Sequence, residues 1–98
     1  MSEPYKFYFG FRRFVIREEM IEALEGYVQN RLPVGCFLQA ILENNLVEAL
    51  GRADEQNLLN IPAYGAWLYN EAPGNCWGSP EIVKEWLKAR IPTSQVGG

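Results

Sequence analysis

A mainly α-helical domain of four or five short helices, with a β-strand or hairpin at its N-terminus, is the fold class this sequence predicts. Three observations carry it. Apolar residues recur at three- and four-residue intervals from Arg17 onward. Only Tyr5 to Ile16 alternates with period two. Prolines, asparagines and glycines then cut the helical part into pieces of about ten residues or fewer after the first helix.

The first element is YKFYFGFRRFVI, dense in aromatic and β-branched residues. Tyr5, Phe7, Phe9 and Phe11 share one face of an extended strand. At Arg12 and Arg13 the apolar phase moves to Phe14 and Ile16, which predicts a bulge, a bend, or a tight hairpin centred on Gly10. A single strand leaves backbone groups unpaired, so either a hairpin or pairing with another chain is implied.

From Arg17, Met20, Ile21, Leu24, Tyr27 and Val28 make one helical stripe between glutamates, and Leu32-Pro33 ends the helix near Gln29. CFLQAILENNLVEALGRADEQN is helical again, with Phe37, Leu38, Ile41, Leu42, Leu46, Val47, Ala49 and Leu50 on its inner faces. Asn44-Asn45 interrupts it, and one of the two asparagines caps the second piece. Pro62 fits the first turn of a helix running to Asn70; Pro73-Gly74 stops it. Ser79, Pro80 and Glu81 start a last helix with Ile82, Val83, Trp86 and Leu87 on its inner stripe, ending near Ala89. The organisation is one globular domain over 1–90, with a strand-like arm at 5–16, a helical body at 17–90 and a flexible tail at 91–98.

Ninety-eight residues, 48% of them hydrophobic, suffice for one core. The net charge of −3 gives no overall attraction to nucleic acid or anionic membrane, so any basic surface is local. Lys6, Arg12, Arg13 and Arg17 are four of the nine basic residues, whereas Glu43, Glu48, Asp54, Glu55 and Glu71 make the middle acidic. No apolar run reaches the roughly 20 residues of a membrane span. Cys36 and Cys76 are read as buried small hydrophobes in a reducing cytoplasm.

Chemistry is sparse. The chain lacks histidine, the side chain best placed for proton transfer near neutral pH and the commonest metal ligand. No cofactor, metal or catalytic residue is predicted. Asp54, Glu55 and Glu71 are the carboxylates a small hydrolase would use, but helix-end charges fit them better, with Asp54 capping locally or pairing Arg52. Trp67, Tyr69, Trp77 and Trp86 read as core, with Cys76 and Trp77 folded back between the last two helices. The arm supports three readings. Tyr5, Phe7, Phe9 and Phe11 pack on the helices; or they join Lys6, Arg12 and Arg13 in a platform that stacks bases and holds phosphates; or the arm is an interface strand for a partner or a second copy.

FLQAILENNLVEALGRADEQN and WLYNEAPGNCWGSPEIVKEWL together resemble a family of small phage and prophage proteins of unassigned function, which carry RAD-x-x-N and LYNEAP-x-x-CWGSP blocks. The likeness covers about half of the chain and leaves YKFYFGFRRFVI outside. It implies a setting in the cytoplasm of an infected or lysogenic bacterium. It further implies a non-enzymatic binding protein that modulates or inhibits a host protein, with inhibition of a defence system such as CRISPR as its sharpest form. The expected contact residues are Tyr5, Lys6, Phe7, Phe9, Phe11, Arg12, Arg13, Asp54 and Glu55. A nucleic-acid-binding accessory protein that uses the arm is the alternative, a small hydrolase the third.

Overall fold

The computed structural model describes residues 3–89; the tail read as flexible lies outside them. The chain runs β1 (Tyr5–Phe9), β2 (Arg12–Ile16), α1 (Glu18–Asn30), α2 (Cys36–Leu42), α3 (Leu46–Arg52), α4 (Glu55–Leu59), α5 (Ile61–Asn70) and α6 (Pro80–Lys88). The class is mainly helical, with 59% of the described residues in six helices, and an N-terminal antiparallel hairpin.

Phe9 pairs with Arg12 and Phe7 with Phe14, so Gly10 and Phe11 form a two-residue turn. Gly10 has φ +61°, and Phe11 is not left-handed, the pattern of a type II′ turn that matches the twist of the strands. This explains the phase shift at Arg12-Arg13. Paired residues share a face across a hairpin, so odd positions on β1 continue as even positions on β2, and no bulge is needed.

Helix ends follow from local chemistry. Asn44-Asn45 divides its labour: Asn44 takes φ +62°, and the Asn44 and Asn45 amides donate back to the Ile41 and Ala40 carbonyls. That closes α2 in a Schellman motif. The Asn45 side chain then accepts from the Glu48 amide and opens α3. Asp54 caps α4 and Ser79 caps α6, each followed by an acid in the first turn.

The core gathers Ile16 from β2, Ile21, Leu24 and Tyr27 from α1, most of α2, Ala63, Tyr64, Trp67 and Leu68 from α5, and Cys76 and Val83. Helix α5 packs across both strands, and α2 packs on α3 and α6. Phe37 meets Tyr64 edge-on at 5.1 Å between centroids. Three expectations fail here. Tyr69, read as core, is 85% exposed, because it lies on the side of α5 away from Tyr64, Trp67 and Leu68. Leu46, Val47 and Leu50 are exposed, because the Asn44-Asn45 break re-aims α3 and buries only Ala49. Cys36 is exposed at the first position of α2, whereas Cys76 is buried.

Candidate nucleic-acid and protein interface

Two aromatic regions have opposite environments, and their ties to the backbone set them apart. In the run from Trp67 to Glu81 and the helix after it, the Tyr27 hydroxyl donates to the Cys76 carbonyl at 2.7 Å. The Trp86 indole N–H donates to the Tyr27 carbonyl at 2.7 Å. The Gly78 amide donates to the Leu42 carbonyl at 2.8 Å. Arg31, left-handed at φ +55°, closes α1, lays its guanidinium 3.6 Å from the Trp86 ring centroid and donates from Nη1 to the Trp86 carbonyl. The segment holding Cys76 and Trp77 is thereby fastened to α1 and α2. Burial raises the Tyr27 phenol and the Cys76 thiol above their usual ranges, so both stay neutral at physiological pH.

The hairpin is fastened at its base and free at its tip. Ile16 is fully buried, and the Val15 amide donates 2.7 Å to Asn60 Oδ1, whose own amide donates to the Gln56 carbonyl. Tyr5, Phe7 and Phe14 are half-buried against the core, with Phe7 stacked on Phe14 at 6.3 Å. Beyond them the hairpin leaves the body. Tyr8 is 63% exposed, Phe9 72% and Phe11 109%, the last a side chain more open than in an extended reference peptide. Lys6, Arg12 and Arg13 are exposed among them, and Arg12 lies 5.6 Å from the Phe14 ring.

The predicted contact residues therefore divide. Lys6, Phe9, Phe11, Arg12 and Arg13 are free at the hairpin; Tyr5 and Phe7 are partly spent on the core. Tyr8, which the odd-face pattern leaves out, stands in the open beside Arg13, its cross-strand partner.

Asp54 is not part of that surface. Its Oδ1 accepts from the Asn57 amide at 2.7 Å and its Oδ2 from Arg17 Nη2 at 3.0 Å. Those two bonds, the backbone one first, hold its carboxyl below the usual range, and the same pair raises Arg17. Arg17 also donates to Gln56 and lies 3.3 Å from Glu19, so one guanidinium ties the hairpin exit to the α3–α4 junction. The expected Asp54–Arg52 pairing is replaced, since Arg52 donates to Glu48 at 2.8 Å one helical turn back. Glu55 is exposed in the first turn of α4, and Glu71 caps the end of α5.

No protein-family model, curated protein or solved structure matches the chain. The site thus rests on its own geometry. Among the described residues no group of three acidic or sulfur ligands converges as a metal site, and no helix is long and apolar enough to cross a membrane. What the tip offers is contact: large apolar faces with cations between them, on a strand pair anchored from below. Sequence reasoning missed Asn60 as the anchor; three asparagines in the short stretch from Asn57 to Asn70 were its only trace.

Proposed function

We propose that this chain is a non-enzymatic binding protein whose free hairpin tip docks on a host protein. The resemblance of its RAD-x-x-N and LYNEAP-x-x-CWGSP blocks sets it in a phage or prophage, with inhibition of a defence system such as CRISPR as the sharpest version. The observation that carries the reading is the exposure of Phe9 and Phe11 on a hairpin whose base is pinned by Ile16 and Asn60. Large aromatics left in water on a rigid support are the residues that dominate protein interfaces when a partner covers them. The test is photo-crosslinking in a CRISPR-active bacterial host, with Phe11 replaced by a benzophenone amino acid. One host protein captured at near-stoichiometric yield is the expected result, and absence of any protein adduct overturns the reading. Plaque counts of a CRISPR-targeted phage on the same host decide the sharper version, which requires restored infection.

A second reading rests on the outward face of the hairpin, where Tyr8 stands between Lys6 and Arg13. A ring flanked by cations stacks a base while its neighbours hold phosphates. It predicts oligonucleotide binding that weakens with salt and whose log–log salt slope falls by about 0.7 for each of Lys6 and Arg13 removed from a single-strand complex. Binding that is absent or indifferent to salt excludes it. A hydrolase built on Asp54 is disfavoured by the engagement of both its oxygens.

A further inference from the structure

The two long edges of the hairpin are not equivalent. In an antiparallel pair, residues alternate between those that bond across the ladder and those whose N–H and C=O point away from it. The Val15 amide donates to Asn60, so it points away from β1. Its cross-strand partner Lys6 is therefore also in a non-bonded pair, and the Lys6 N–H and C=O face the opposite, outer edge of β1. Two residues on, Tyr8 does the same. Asn60 occupies the β2 edge; among the described residues nothing bonds the outward amides of Lys6 and Tyr8. Both residues are exposed, neither position is a proline, and no bulge turns that edge aside.

We propose that the free edge of β1 pairs with β1 of a second copy of this chain, antiparallel about a two-fold axis at Phe7, to give a four-stranded sheet β2-β1-β1-β2. The sequence of the strand selects the register. With the axis at Phe7, Lys6 of each copy meets Tyr8 of the other, and all four pairs of outward N–H and C=O groups are satisfied at once. All five residues of the strand are then used, Tyr5 facing Phe9 on one side of the sheet. The exposed Phe9 gains an aromatic neighbour, and each Lys6 ammonium lies beside a Tyr8 ring. Shifting the axis to Lys6 sets two ammonium groups directly opposite and brings Tyr8 against Pro4, which has no N–H to give. Shifting it to Tyr8 drives each strand into the other's turn at Gly10. The charge pattern and the proline thus disfavour the two neighbouring two-fold registers and favour the central one. This pairing goes beyond the host-protein reading and is compatible with it, since the two turns project at opposite ends of the sheet, about 20 Å apart along the strands.

The test uses the full chain. Light scattering after size exclusion is expected to give twice the 11.2 kDa chain mass at micromolar concentration. Tyr8→Pro removes an outward N–H without touching a β1–β2 bond, and it is expected to return the mass to that of one chain while the helical circular dichroism is unchanged. Amide hydrogen exchange of the unmodified chain adds an arm that needs no variant. The Lys6 and Tyr8 amides, without acceptors in one copy, are expected to exchange at least about tenfold more slowly at high concentration than after dilution. A single-chain mass at every concentration overturns the proposal. So does a dimer that survives Tyr8→Pro, which would be built elsewhere, or fast exchange of both amides in the dimer.

Discussion

The clasp around Tyr27, Cys76 and Trp86 and the tip around Tyr8, Phe9 and Phe11 draw on the same residue types, yet one closes the fold and the other stands in water. Polar ties make the difference. Two clasp aromatics spend their polar atom on a carbonyl of a distant element, Tyr27 on Cys76 and Trp86 on Tyr27, while the buried Trp77 indole N–H has no partner among the described residues. Such bonds fix a ring in one orientation and make its burial specific as well as favourable. At the tip, Phe9 and Phe11 have no polar atom to tie down, and the two-residue turn carries them beyond α5. Aromatic content alone therefore says little about where a chain keeps its core.

The contrast breaks most visibly if the clasp is emptied. Tyr27→Ala removes a fully buried ring and orphans the Cys76 carbonyl, and it is expected to cost about 3–5 kcal/mol in urea denaturation, within the range for buried aromatics. Trp86→Phe keeps most of the apolar contact but removes one of the two donors to the Tyr27 carbonyl, which retains the Arg31 amide, and weakens the Arg31 stack. A loss of about 1–2 kcal/mol is expected by the same measurement. Between the two regions lies the Arg17–Asp54 tie. Asp54 titrates below its ordinary value of 3.8, so its contribution is complete above that pH and is lost as pH falls through the folded-state value. Asp54→Asn keeps a capping oxygen and removes the charge, and its acid-unfolding curve should lack that step. The smallest effect belongs to the tip. Phe9→Ser should change stability by less than about 0.5 kcal/mol, as for exposed positions without special contacts, while abolishing the crosslink from a benzophenone at position 11 to a host protein.

Much of the helical body was legible because its signals are local. Ser79-Pro80-Glu81 begins α6 where the capping pattern puts it, and the Asn44-Asn45 interruption falls where two poor helix formers meet. Relations between elements were not legible. Periodicity places Leu46, Val47 and Leu50 on an apolar stripe, but the direction of α3 after its cap decides whether that stripe meets anything, and it does not. The arm illustrates the same limit: alternation identifies the face shared by Tyr5, Phe7 and Phe9 without saying how far α5 reaches along it. Asn60 anchors β2 across 45 positions of sequence, a separation no local pattern encodes.

The division between the two cysteines gives the molecule a built-in clock. Cys36 is open to reagents in the folded chain, whereas the Cys76 sulfur donates to the Pro73 carbonyl inside the clasp and its thiol is held neutral by burial. Alkylation of Cys36 therefore proceeds in the folded chain, and alkylation of Cys76 waits for the clasp to open. The ratio of the two rates, read from one sample by mass spectrometry, reports how often the buried half of this protein comes apart.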